Sequence, residues 1–245
     1  MKAILENWRG YLLKETPRYD ASFQLYVDLD GVLINFEGGV VDAINGDIED
    51  PSRVSLEHRP AFDKMIGKIS DVRDYAQIVR SDISRKKAER GDVGNAVRDY
   101  MYRRFQDDVK FWAGLEWLHP EDPANLNQDG QKLWNYVKGS TPPPIILTSP
   151  MKGDPKGGDH KGKEEWVKEH LGDHVRVIVE RDKWKYAVAE DGTGNILIDD
   201  TENKVVPWRE RGGIAIHHVS VSRTIEEYEE NRVRLNDERR GVSNQ

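Results

Sequence analysis

Residues 23–36 read FQLYVDLDGVLINF. Phe23, Leu25 and Val27 belong to a compact apolar run, the pattern of a buried strand. Asp28 breaks that run, and Gly31 marks a turn directly after it. Four further runs repeat the pattern: PIILT (144–148), VRVIV (175–179), NILID (195–199) and GIAIH (213–217). Each is bounded by Gly, Pro or charge, as expected for strands covered on both faces. Helical stretches lie between them. The clearest runs from Glu164 to Leu171, with Gly172 as its stop. Strand and helix in alternation predict an α/β fold with a parallel sheet.

The region from 37 to 115 departs from this rhythm. Its periodicity is helical and it offers no strand. The reading is therefore an α/β core, residues 20–36 and 116–222, split by a helical insertion at 37–115. Ile4, Leu5, Trp8, Leu12 and Leu13 predict a short amphipathic helix within 1–19, ended by Pro17. The segment 223–245 reads as a charged helix and tail.

Acidic pairs stand where two strands end: Asp28 with Asp30, and Asp199 with Asp200. In an open parallel sheet, ligands gather outside the carboxyl ends of the strands. An Asp after a strand is often only a cap or turn residue. Two such pairs on one edge would repel each other unless a cation intervened, and oxygen donors without His or Cys suit Mg²⁺ better than zinc. A third strand end carries Thr148 and Ser149, whose hydroxyls can meet phosphate oxygens. Lys163 opens the helix at 164–171, where a cation opposes the helix dipole unless it serves an anion.

The chain has 245 residues and a formal charge of −7. That balance disfavours a general nucleic-acid binder. Arg80, Arg85, Lys86, Lys87, Arg90, Arg98, Arg103 and Arg104 nevertheless make one stretch locally basic, either a solvated helix face or a phosphate-attracting surface. Cysteine is absent, which excludes disulfides, thiolate catalysis and Cys-based zinc sites. The opening MKAILENWRGYLLKE lacks a signal-peptide core, and no apolar run is long enough for a membrane span. Cytoplasmic residence is the expectation.

Taken together, DLDGVL (28–33), ILTSP (146–150), Lys163 and LIDD (197–200) resemble the motifs of the haloacid dehalogenase superfamily, in the same order. A narrower resemblance is to its 5′(3′)-deoxyribonucleotidase branch. It rests on TSP, GKEEWVKEHLG, VIVERDK, ILIDDTENKV and FWAGLEW at 111–117, with Lys163 three residues before Trp166. The resemblance implies a Rossmann-like sheet of order 3-2-1-4-5 with an α-helical cap after the first strand. It also implies phosphoryl transfer through an aspartyl-phosphate. Asp28 would be the nucleophile and Asp30 the general acid and base. Thr148, Ser149, Lys163 and Gly31 would hold phosphate. Asp28, the Asp30 carbonyl and Asp199 would hold Mg²⁺, with Asp200 in support.

The expected substrate is a small phosphomonoester, most simply a (deoxy)nucleoside monophosphate. Phe36 and Trp112 are the aromatics expected to line its pocket. The rival substrates are a nucleic-acid 3′-phosphate and a sugar phosphate. The rival class is a non-catalytic binding protein of the same fold, against which all motif positions keep competent side chains. Neither oligomeric state nor base preference is legible.

Overall fold

A computed structural model describes residues 23–69, 91–119, 129–151 and 157–242. The sequence expectation of a helix within 1–19, and the basic residues Arg80 to Arg90, lie outside these residues.

Five strands form one parallel sheet: β1 (Leu25–Val27), β2 (Ile145–Thr148), β3 (Val177–Val179), β4 (Ile196–Asp199) and β5 (Ile214–His217). Their order is β3-β2-β1-β4-β5, with every neighbouring pair parallel. The expected topology is therefore observed, with β1 central.

Alternation along the strands separates two cores. Leu25, Val27, Ile146, Ile196, Ile198 and Ile216 pack on one face. Tyr26, Ile145, Leu147, Leu197 and Ala215 pack on the other, beneath Val205 and Trp208. Period-two alternation in continuous apolar runs is what a sheet covered on both faces demands.

Between β1 and β2 lie α1 (Phe36–Glu49), α2 (Arg59–Ile69), α3 (Asp92–Phe105), α4 (Val109–Ala113) and α5 (Gly130–Val137). The described residues 37–115 hold no strand, as the sequence predicts. Where the insertion leaves and returns, its two connections run side by side. Asn35 N–H donates to Glu116 O at 3.0 Å, and Leu118 N–H donates to Leu33 O at 2.7 Å.

Beyond β2 come α6 (Gly158–His170), α7 (Glu202–Glu210) and α8 (Val221–Val242). Helix α6 starts six residues earlier than the sequence suggests, so Lys163 sits in its second turn and not at its N-terminus. Gly172 follows it at φ +107°, a conformation in which glycine is unstrained. The front of α8 belongs to the packed body: Val221, Thr224 and Tyr228 are buried.

The glycines near the crossings serve packing. Gly39 lies inside α1, where a Cβ would strike the Leu115 side chain. Gly162 faces α4, where a Cβ would collide with the Trp112 Cβ and lie 2.7 Å from Val109 O. Helix α4 is thereby seated on α6 of the core.

Candidate active site

All the sequence motifs converge at the carboxyl edge of the sheet. Asp28 directly follows β1, with its backbone N–H on Ile198 O at 2.9 Å. Its Oδ1 accepts from Leu29 N at 2.7 Å. The chain then turns tightly, with Leu29 O accepting from Leu33 N (2.9 Å) and Ile34 N (3.0 Å). Gly31 has φ +72°, and a Cβ there would collide with the Asp200 carboxylate. Glycine is therefore required both for conformation and for room. The Gly31 N–H donates to Ile34 O at 3.0 Å. That bond engages the Gly31 donor within the turn.

Asp28, Asp199 and Asp200 offer carboxylate oxygens that all lie within 4.8 Å of one another. The residue that binds this group together is one to which the sequence reading assigned no role. Lys183, from a 3-10 turn after β3, places Nζ 2.8 Å from Asp28 Oδ1 and 2.7 Å from Asp199 Oδ2. Its side chain is 1% exposed. Burial alone would lower its pKa, but Asp28 and Asp199 outweigh burial and hold it above the usual lysine range. The segment VIVERDK contained it, yet nothing local distinguishes this lysine from a solvated one.

Lys163 occupies a second buried position. Nζ donates to Asp30 Oδ2 (2.6 Å), Ser149 O (2.7 Å) and Thr148 Oγ1 (3.2 Å). The Trp112 ring lies 4.6 Å from it, a cation–π contact. An ammonium has three hydrogens, and all three find acceptors here. Lys163 is thus tied to Asp30, whereas Lys183 spends two of its three on carboxylates. Ser149 Oγ and Asp30 Oδ1 are buried without a hydrogen-bond partner among the described residues.

The acids differ in environment. Desolvation, then Asp28, pushes Asp199 up to about 6 despite Lys183. Both Asp199 oxygens are engaged, Oδ2 by Lys183 and Oδ1 by Thr201 N at 2.8 Å. Asp200 is an exposed residue whose carboxylate turns into the crowded centre; desolvation, then Asp28 and Asp199, shifts it upward. For Asp30, desolvation raises the pKa and Lys163 opposes the rise.

This donor set fits a hard divalent cation. Three carboxylates against the single Lys183 ammonium leave two negative charges, all the donors are oxygen, and Asp200 remains accessible. Asp199 accepts from Lys183 and Thr201 N, Asp28 accepts from Lys183 and Leu29 N, and Asp200 Oδ1 accepts from Thr201 Oγ1 at 3.0 Å. The Asp30 carboxylate lies outside this cluster, on Lys163.

The two pocket aromatics separate. Phe36 lines a cleft of about 370 Å³ beside Gly31 and Asp200. Trp112 is 1% exposed, stacked on Phe36 at 5.1 Å, and its Nε1 donates to Phe105 O. It lies beneath the pocket, not in its wall. The described part of the basic stretch is also committed internally. Arg103 pairs with Asp99, Arg104 with Asp47 and Asp108, and Arg98 with Tyr102.

No family model and no curated protein matches the chain. Among solved structures it is similar to a haloacid dehalogenase-like hydrolase from Streptococcus pneumoniae. That pair has 14% identity and a TM-score of 0.36, covering 79% of this chain and 82% of the other. A phosphonoacetaldehyde hydrolase-like protein from Oleispira antarctica matches at 13% identity and TM-score 0.38, covering 81% and 72%. A HAD family hydrolase from Deinococcus radiodurans, solved with bound phosphate and sodium, matches at 13% identity and TM-score 0.34, covering 84% and 89%. Among the described residues, no helix is long and apolar enough to cross a membrane.

Proposed function

We propose that this chain is a Mg²⁺-dependent phosphatase of the haloacid dehalogenase type, acting on a nucleoside monophosphate through an aspartyl-phosphate. One observation carries the reading. Asp28, at the end of the central strand, is held by buried Lys183, while Asp30, two residues on, is held by buried Lys163. Two adjacent carboxylates in different electrostatic settings suit two different roles.

Asp28 attacks phosphorus in line, forming its own P–O bond as the bond to the leaving oxygen breaks. Asp30 gives its proton to the departing alkoxide, then takes one from the water that hydrolyses the phosphoryl-enzyme. Desolvation, which favours the protonated acid, serves the first half of that cycle. Lys183 and the hydroxyls of Thr148 and Ser149 meet the phosphoryl oxygens. Lys163, with no hydrogen to spare, positions Asp30. Asp28, Asp200 and the Asp30 carbonyl would hold Mg²⁺, which offsets charge on the phosphate oxygens. Phe36 faces the leaving group.

Assay of a panel of phosphorylated metabolites with Mg²⁺, with and without chelator, tests the reading. Metal-dependent phosphate release, greatest on nucleoside monophosphates and lost in Asp28→Asn, is expected. Inertness toward every ester would overturn it, and a preference for sugar phosphates or oligonucleotide 3′-ends would overturn its substrate.

A further inference from the structure

The chain leaves β2 at Thr148, whose carbonyl accepts from Glu180 N at 2.8 Å. Ser149 follows, then Pro150, which has no N–H to offer. The next residue, Met151, is buried, and its N–H donates to Oδ2 of Asp159. Asp159 lies in the first turn of α6 and is 1% exposed. Its own backbone N–H donates to Gln106 O at 3.0 Å, in the turn between α3 and α4. Gly158 before it packs so closely on Asp107 that a Cβ would collide with the backbone there. The insertion thus sets where Asp159 stands, and Asp159 holds the loop.

An acid at a helix start ordinarily serves the free N–H groups of its own helix. Here Oδ2 is directed out of α6 to a residue eight positions earlier. Oδ1 is buried with no hydrogen-bond partner among the described residues. A buried carboxylate with one bare oxygen is costly to the fold, so stability alone does not account for it. Four positions on, at a spacing that shares one helix face, Lys163 donates to Ser149 O and Thr148 Oγ1. Helix α6 therefore grips the loop at Thr148, Ser149 and Met151.

We propose that Asp159 is a positioning residue for phosphate recognition: through Met151 N–H it fixes the loop whose Thr148 and Ser149 hydroxyls meet the phosphoryl oxygens. The inference rests on the phosphatase reading and adds to it a side chain that never touches substrate. Misplacing such groups by about 1 Å from a distance can cost up to ~10²-fold in rate.

The test follows KM for p-nitrophenyl phosphate, the inhibition constant of inorganic phosphate, and Mg²⁺ affinity by calorimetry, in the wild type and three variants. Asp159→Ala removes the acceptor. Asp159→Ser keeps a polar helix start but is one bond shorter, so it separates loop placement from helix capping. Both should raise KM and the phosphate inhibition constant about 10-fold and leave Mg²⁺ affinity unmoved. Asp159→Asn, whose amide oxygen can still accept from Met151 N–H, should hold the rise below about 3-fold. An unchanged phosphate inhibition constant in folded Asp159→Ala or Asp159→Ser overturns the inference. Equal losses of phosphate and Mg²⁺ affinity also overturn it, since they show Asp159 serving the fold as a whole. Should Asp159→Ala fail to fold, Asp159→Ser decides by the same comparison. A wild type inert on the ester and unaffected by phosphate removes the phosphatase reading and this inference with it, which is distinct from an active enzyme whose phosphate affinity does not move.

Discussion

Lys183 Nζ and Asp199 Oδ2 stand 2.7 Å apart with side chains 1% and 0% exposed, a buried ion pair that also takes in Asp28 at 2.8 Å. Such a group is costly to dismantle from one side, because the remaining charges keep their desolvation penalty. Lys183→Met should therefore cost about 3–5 kcal/mol of stability. Urea unfolding measures this. Lys183→Met combined with Asp199→Asn should recover part of the loss. A single variant as stable as the wild type would show the pair to be solvated.

Phosphoryl transfer should fail without Asp28. Asp28→Asn keeps the shape and removes the attacking charge, so turnover should drop by at least ~10³-fold with the circular dichroism spectrum unchanged. Turnover near the wild-type rate in a folded variant would sink the covalent mechanism.

Metal affinity should separate the second acidic pair. Asp200→Asn should weaken Mg²⁺ binding, read by calorimetry, more than Asp199→Asn does, because Asp199 already accepts from Lys183 and Thr201. Chelation should abolish activity and added Mg²⁺ restore it. The opposite ranking would return the metal to Asp199.

Seating of α4 on α6 makes Gly162 intolerant of a side chain. Gly162→Ala should destabilise by about 1–3 kcal/mol, since the methyl meets backbone and the Trp112 stem. Gly67, in α2, has nothing within 4 Å of its would-be Cβ. Gly67→Ala should stabilise by about 0.5–1 kcal/mol. Equal effects of the two substitutions in urea melts would contradict the packing described. Trp112→Ala, beneath the pocket, should lower activity on nucleotide and aryl phosphate alike, in contrast to a base-stacking residue.

Acid should weaken the fold through His218. Burial, reinforced by His217, pushes its pKa down to about 4 from 6.5. The folded state therefore keeps it neutral while the unfolded chain binds a proton. This contribution is complete above pH 6.5 and is lost as pH falls toward 4, about 3 kcal/mol in all. Unfolding free energies at pH 7 and pH 4.5 should differ less in His218→Phe. An identical difference in both proteins would assign the acid sensitivity to other groups.

By itself the sequence determined the sheet and its carboxylate edge. Apolar runs such as Ile145–Thr148 (IILT) and Ile196–Asp199 (ILID) state their burial through local composition, and DLDG writes its turn in neighbouring residues. Those signals are short-range, so they survive without coordinates. Tertiary structure alone decided what each charged or aromatic side chain meets. Lys163 reads as a helix-start lysine but sits mid-helix under Asp30, because Gly158 and Gly162 let α6 approach Asp107 and α4 closely. Lys183 is 155 positions from Asp28 in the chain and touches it in the fold. Trp112 has the composition of a stacking residue, yet it is covered by Phe36 and spent on a lysine. A side chain's chemistry is fixed by its type, but its partners are set by long-range packing, and packing leaves no local periodicity to read.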